Sequence, residues 1–408
     1  MRKMVIAVIL LIASVAGAGD MINFPSFPTR GQGPFDKGYW WESGLTFWAD
    51  FSDPANPLVL RKGTGSLTFT RATTATYVHP TTGLITAAAS GQLRIESNGA
   101  LIEGQRTNLA LYSEQLGLAA NWTATNVTVD NNTAVAPDGA TTAETLTATG
   151  DNATLLQSYT GTVAAYTASY YLKRKTGTGA VQISADNTTW TSCTINASTW
   201  TRCTDTRTVT VATYYHGIRL ATNTDAVYAY GGMNELGAFA SSLVNTTTGA
   251  VTRNADVLSF TGSGNVAAAA GTVVFSGVNV GGFTGGTTNH DAWTFGPVTN
   301  NRLMFRIDPT GDPVFVYGTG TTTANIDIGQ VTIGTPYKAA AAWNTTDGYA
   351  AKDGGTVGTN PADPGPTIAE TCYIGSTSGT AGNFFGNIKN LRIWNRVFSS
   401  TELQLITQ

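Results

Sequence analysis

The residues able to do acid, base or nucleophilic chemistry are scattered along this chain. Eight glutamates are spread over 408 residues, at Glu42, Glu96, Glu103, Glu114, Glu144, Glu235, Glu370 and Glu402. Hydrolysis of a glycosidic bond calls for two carboxylates about 5–9.5 Å apart. One strand supplies such a pair from positions i and i+2 or i+4, which share a face. No Glu-x-Asp-x-Glu run is present, and Asp308 and Asp312 flank Pro309-Thr310-Gly311, where acids read as turn formers. Carboxylates from distant strands can still meet, so spacing leaves that route open. His79, His216 and His290 stand far apart, with no neighbouring Cys or acidic pattern for a metal or a triad. A Gly-x-Ser-x-Gly elbow, a phosphate loop and a dinucleotide fingerprint are all missing. The expectation is a chain without catalytic residues and without a metal site that these residues name.

Aromatic rings and cysteines offer more. Sugar C–H faces stack on flat rings, so Trp190, Trp200, Tyr214 and Tyr215 are candidates for a carbohydrate platform. The competing reading puts those rings in a core. Tyr214 and Tyr215 are adjacent and face opposite sides of any strand they share, leaving one free to meet solvent. Cys193 and Cys203 end near-duplicate strings, Thr189-Trp190-Thr191-Ser192-Cys193 and Thr199-Trp200-Thr201-Arg202-Cys203. Two short strands joined through Ile195-Asn196-Ala197-Ser198 would set them opposite each other for a disulfide. The alternative is two small half-buried residues. Without a Cys-x-x-Cys pair zinc has no ligand set, and Cys372 reads as a buried thiol.

The elements that must position these residues are strands. Charged residues make up 12% of the chain, against roughly 25% in ordinary globular domains. Thr, Gly, Ala and Asn fill the gap. Thr suits a pleated surface, while Gly and Asn supply turns. Low charge with 42% hydrophobic residues argues against disorder. A net charge of −3 without a basic run excludes a nucleic-acid footprint. Period-two alternation marks strands at Leu45–Phe51, Ala165–Leu172, Ala180–Ser184, Tyr214–Leu220 and Ala226–Gly231, with no long amphipathic helix between them. Further strands are predicted at Gly271–Ser276, Arg302–Ile307, Val314–Tyr317, Tyr337–Trp343 and Ile388–Trp394. Ser399 and Glu402 have capping-box spacing, which predicts a short final helix. The fold class is therefore all-β: tandem β-sandwich or jelly-roll domains behind an extended N-terminal arm.

The N-terminus is a separate problem. Met1-Arg2-Lys3 precedes an apolar run from Met4 to Ala18, and Ala16-Gly17-Ala18 fits a small-x-small cleavage site. The run is shorter than the roughly 20 residues that span a bilayer. It reads either as a signal or membrane anchor, or as a short apolar assembly helix. Residues 20–42 follow with Pro25, Pro28 and Pro34 among Phe24, Phe27, Phe35, Tyr39, Trp40 and Trp41. Proline resists helix interiors and central strands, so this segment reads as an extended anchoring arm that lays aromatics into a neighbour.

Three strings carry a resemblance: Phe69-Thr70-Arg71-Ala72-Thr73-Thr74-Ala75-Thr76-Tyr77, then Glu103-Gly104-Gln105-Arg106-Thr107-Asn108-Leu109, and later Thr252-Arg253-Asn254-Ala255-Asp256. In this order they resemble a pattern of tailed-bacteriophage virion proteins of the tail-fibre, minor-tail or head-appendage type. Between the last two strings, Asn121-Trp122, Pro137-Asp138-Gly139, Tyr166–Leu172 and Tyr228-Ala229-Tyr230-Gly231-Gly232-Met233-Asn234-Glu235-Leu236-Gly237 resemble a jelly-roll carbohydrate-binding module. Relatives end the last string in Gly-Ala-Gln-Leu-Glu, from which Gly-Met-Asn-Glu-Leu departs modestly. Tyr373–Ser376, Phe385–Arg396 and Ser399–Gln404 resemble the end of a concanavalin-A-like (laminin-G-like) sandwich. The implied organisation is an apolar segment at 1–19, the arm at 20–42, a small β unit at 43–112, a carbohydrate-binding-module-like jelly roll at 113–256 and a lectin-like sandwich at 257–408. Arg106 reads as a structural residue joining the small unit to the next module.

The resemblance implies a non-enzymatic virion protein, anchored by its arm, whose sandwiches meet a host-surface glycan. Its expected partners are other virion proteins and copies of itself, as a trimer. No cofactor is implied beyond a structural calcium, for which the sequence names no ligands. Two other readings stay open. One is a capsid decoration or collar protein that binds neighbouring subunits. The other is an exported bacterial adhesin, the only reading in which the N-terminal run is a literal signal.

Overall fold

The computed structural model describes residues 40–281, 289–296, 301–319, 324–361 and 367–408. Residues 43–408 form one compact unit. The apolar run and Phe24, Phe27, Phe35 and Tyr39 lie outside the described residues, as does the Trp40 side chain. Trp40–Glu42 is a 3-10 turn with Trp41 buried.

Strands dominate, as Thr-rich alternation predicts, and they build two sandwiches. The first sandwich pairs a sheet of eight strands with a sheet of seven. In the larger sheet, Gly386–Trp394 lies between Gly271–Asn279 on one side and Gly99–Ile102 and Leu45–Asp50 on the other. In the facing sheet, Val257–Thr261 joins Thr68–Thr70 to Thr371–Ile374. The core between them is aromatic. Phe47 stacks on Phe260 at 4.3 Å, and Phe275 meets Phe305 edge-on at 4.9 Å. Trp293 and Trp343 are fully buried beside them. The final helix, Ser400–Thr407, begins with the expected capping box between Ser399 and Glu402.

These pairings correct the expected small β unit at 43–112. Leu45–Asp50, Thr68–Thr70, Arg94–Glu96 and Gly99–Ile102 are strands of the C-terminal sandwich, not of a separate body. Phe47, Phe51, Phe69, Ile95 and Ile102 belong to its core. Seventy residues of Thr- and Gly-rich chain bury too few apolar side chains to stand alone, and the edges of the later sandwich complete them. Only the hairpin of Ala75–Val78 with Ile85–Ala88 remains a sheet of its own.

The second sandwich is the jelly roll. Its outer sheet runs Thr201–Thr208, Ala165–Thr176, Ala226–Leu236, Ala143–Ala148, Val127–Ala134, with Arg106–Asn108 and Val251–Arg253 attached at one end. Its second sheet runs Thr191–Cys193, Val181–Ser184, Thr213–Leu220, Ala153–Thr160, Thr123–Thr125. Trp122, Leu146, Leu155, Ala168, Tyr170, Leu172, Ile183, Ile218 and Val227 fill the space between them.

The recurrent strings meet where the two sandwiches join. Arg94 donates to Glu103 at 2.7 Å and to Asp256, and Arg71 holds the other oxygen of Asp256 at 3.0 Å. Arg253 comes within 3.5 Å of Glu103 and 4.0 Å of Asp256. All five side chains are at most 1% exposed. Burial alone raises the Glu103 carboxyl, but Arg253, Arg94 and the Ser242 hydroxyl and N–H override it and hold it well below its usual range. Asn108 is saturated: its amide donates to the Gly232 and Val244 carbonyls, and its oxygen accepts from the Ala110 and Asn234 N–H groups. Arg106 sits between the rings of Phe239 and Phe385, at 4.4 and 5.1 Å, one from the end of each sandwich. It is a joining residue, but between the two sandwiches and not between a separate small unit and the jelly roll.

Candidate functional site

The four proposed platform rings do not share a face. Tyr214 is 3% exposed, packed with Tyr166 and Val209, and its hydroxyl accepts from Asn234 at 3.0 Å. This corrects its reading as a sugar platform, because a buried ring has no face to offer. Burial raises its phenol above the ordinary value. Tyr215, its neighbour on the strand, is 44% exposed on the outside of the second sheet, as strand alternation requires. Trp190 also serves that sheet, and the Arg219 guanidinium lies 4.5 Å from its ring centre. The Arg219 Nε and one terminal nitrogen both donate to Gln182, at 2.9 and 2.7 Å. Trp200 belongs to the opposite, outer sheet.

The cysteines explain this division. Cys193 and Cys203 form a disulfide with Cα atoms 5.8 Å apart. They do not face each other across a hairpin, however. Thr191–Cys193 pairs with Val181–Ser184 in the second sheet, while Thr201–Thr208 pairs with Ala165–Thr176 in the outer one. The bond therefore staples one sheet to the other at the sandwich edge, and the duplicate Trp residues leave on opposite sides. Cys372 is buried in the other sandwich, where burial pushes its thiol up to about 12.

Trp200 stands at the end of a row that crosses the outer sheet. Lys173 Nζ lies 5.1 Å from the Trp200 ring and 5.3 Å from the ring of Tyr228, its register partner. Lys175 Nζ also approaches the Tyr228 ring, at 5.6 Å. Two residues along, about 7 Å, a second row holds Arg202, Tyr171 and Tyr230, paired in register. Here the Arg202 guanidinium lies 5.4 Å over the Tyr171 ring. A bulge at Gly231 lets Tyr230 and Met233 both turn outward. The φ of +66° there suits glycine, and a Cβ would come within 3.2 Å of Leu243 and Tyr171. The Tyr230 hydroxyl donates to Glu114 and to Asp138, so those acids are turned to it. Among the described residues, Lys173, Lys175 and Arg202 form no ion pair.

The second row opens into a cleft of about 450 Å³. One wall is the outer sheet, through Thr167, Tyr171, Arg202, Thr204 and Thr206. The facing walls are Tyr77 and Val78 of the hairpin, Phe239, and Val280 and Ile333 of the first sandwich. Glu96 also lines it. Burial raises its carboxyl, while Val78 N–H at 2.9 Å and the Asn387 amide at 3.1 Å pull the other way.

Lys173, Lys175, Tyr171, Arg202 and Tyr228 were missing from the sequence candidates. Their one signal was the continuation of the Ala165–Leu172 alternation into Lys173-Arg174-Lys175, which means little until register sets Tyr228 beside it. Asp308 and Asp312 share the Thr310 hydroxyl, at 2.6 and 2.7 Å, in the turn their spacing predicted. Among the described residues, no group of three or more His, Cys, Asp or Glu side chains is placed to hold a metal ion.

Residues 267–404 match the family model described as the concanavalin A-like lectin/glucanases superfamily, so the C-terminal third of the chain carries a concanavalin A-like domain, whose sheets the earlier strands complete. No curated protein matches the sequence. Among solved structures, the CBM40 module of the Ruminococcus gnavus IT-sialidase bound to alpha2,3 sialyllactose is similar at 16% identity. It superposes with a TM-score of 0.30 over 35% of this chain and 84% of that one. The Trypanosoma rangeli sialidase in complex with the inhibitor DANA is similar at 14% identity, with a TM-score of 0.30 over 37% and 25% of the two chains. The binding domain of Botulinum Neurotoxin DC in complex with SialylT shares 9% identity, with a TM-score of 0.29 over 37% and 39%. At such low scores these likenesses do not bear on what this chain binds.

Proposed function

We propose that this chain is a non-enzymatic structural component of a tailed-bacteriophage particle, anchored through its N-terminal arm, whose jelly roll binds a host-surface glycan. The row of Trp200, Lys173 and Tyr228 carries the glycan reading. Two half-buried rings on one row, joined by an amine with no acid partner among the described residues, supply stacking surface and hydrogen-bond donors together. The concanavalin A-like match adds a second sandwich of a lectin-type superfamily. The virion reading rests on the order of the three strings, whose residues form the joint between the sandwiches. A rigid joint suits a protein that displays modules on a particle.

The test for binding is an array of bacterial surface polysaccharides probed with the full chain and with Trp200→Ala. The expected result is retention that Trp200→Ala loses, and an array with no retained glycan overturns the reading. For the virion role, antibody labelling of intact particles is expected to place the chain on an appendage. Labelling confined to the bacterial envelope would contradict it.

A further inference from the structure

We infer that the cleft between the jelly roll and the lectin-like sandwich takes the anionic group of a bound sugar chain, with Arg202 as the residue that receives it. This rests on the glycan reading above and narrows it to acidic glycans.

Three observations lead there. First, Arg202 lines the cleft and, among the described residues, forms no ion pair. One terminal nitrogen donates to Ser169 Oγ at 3.0 Å and touches Met233 Sδ at 3.4 Å, and no carboxylate is bonded to the guanidinium. Guanidinium groups recognise carboxylate and sulfate oxygens through paired donors. Second, no acid lies within ion-pair distance of Arg202 among the described residues, and the nearby carboxylates are bonded to other groups. Glu235, whose charge reaches Arg202, accepts from the Ser241 N–H at 3.0 Å and hydroxyl at 2.5 Å. Glu103 is held in the buried ion-pair knot, and Glu96 by Val78 and Asn387. Third, the cations continue out of the cleft. Lys173 and Lys175 extend the positive strip along the exposed row, in a chain whose net charge is −3. The strip is thus a local arrangement and not a general basic excess.

The rest of the cleft suits a sugar ring. Tyr171 and Tyr77 supply flat surface, and Phe239, Val280 and Ile333 supply apolar wall. Thr204 is exposed and lines the cleft. A volume of about 450 Å³ falls within the common range of small-molecule sites, about 300–1,000 Å³. The two rows lie about 7 Å apart along the strands, so one oligosaccharide can stack on Trp200 and Tyr228 and place its anionic group at Arg202. Carboxylated and sulfated sugars share this chemistry.

The experiment titrates the full chain with tetragalacturonate, a chondroitin sulfate tetrasaccharide and neutral maltotetraose, beside an array of acidic and neutral bacterial polysaccharides. Acidic glycans are expected to bind at least tenfold more tightly than neutral ones, with an affinity that falls as salt rises. Arg202→Gln is expected to remove that preference. A stronger response to tetragalacturonate than to the sulfated probe assigns the group as carboxylate, and the reverse as sulfate. Arg202 also packs on Tyr171, so Ala240→Trp serves as a second variant that obstructs the cleft and leaves every cation in place; it too is expected to lose the acidic preference. If neutral and acidic glycans bind alike, Arg202→Gln changes nothing and Trp200→Ala still abolishes binding, the glycan reading stands and the cleft assignment is overturned. If no glycan binds, both are overturned.

Discussion

Cations are used in two opposite ways in this molecule. At the joint between the sandwiches, Arg71, Arg94 and Arg253 are buried against Glu103 and Asp256. On the outer face of the jelly roll, Lys173, Lys175 and Arg202 lie on aromatic rings without an acid within ion-pair distance. A buried guanidinium must be matched by carboxylates or the fold loses several kcal/mol. A cation on a ring at the surface keeps most of its hydration and its capacity for a new partner. The same residue type therefore marks architecture in one place and recognition in the other, and its neighbours decide which.

The sharpest break of this contrast is a charge removed from the joint. Glu103→Ala leaves Arg94 and Arg253 buried with less counter-charge, and the expected loss is about 3–5 kcal/mol. Urea unfolding followed by intrinsic fluorescence checks it, and a cost below about 1 kcal/mol would mean the knot is not structural. Next comes the inter-sheet staple. Cys203→Ser opens the bridge to Cys193, ten residues away, and is expected to cost about 3 kcal/mol. Calorimetry of the oxidised and reduced wild type should show the same difference.

On the recognition side the effects move to affinity. Tyr228→Ala is expected to weaken glycan binding roughly tenfold, about 1.4 kcal/mol, while changing unfolding much less than Glu103→Ala does. Equal losses of stability would erase the distinction between the two regions.

The last test is a pH slope. Burial pushes the Glu144 carboxyl in the jelly roll up to about 8, from an ordinary 4.5. Above pH 4.5 the unfolded chain gives up this proton and the folded chain keeps it. The contribution is therefore fully present below 4.5 and is lost as pH rises toward 8. Urea midpoints at pH 5 and pH 8 should converge in Glu144→Gln. His216, held by burial down at about 3, acts in the opposite direction. Its contribution is present above 6.5 and is lost as pH falls toward 3.

The all-β class was legible because Thr, Gly and Asn dominate and alternation is clear in the longer strands. The final helix was legible from Ser399 and Glu402 alone. What sequence could not show was partnership across distance. Leu45–Asp50 looks local, yet its partner is Gly386–Trp394, so a small separate unit was the natural but wrong inference. The cysteines were legible as a pair, but not as a bond between sheets, because ten residues suffice to turn from one sheet to the other. Trp190 and Trp200 looked equivalent in their duplicate strings, and that turn puts them on opposite faces. Tyr228 and Lys173 carry no motif; register alone brings them together.

The central claim is that the outer face of the jelly roll, and not the Trp190 face, is where the sugar binds. A crystal structure of the chain with an oligosaccharide retained on the array tests it most directly. The account predicts sugar density stacked on Trp200 and Tyr228, with Lys173 in contact. Density on Trp190 and Tyr215, or confined to the lectin-like sandwich, would contradict it.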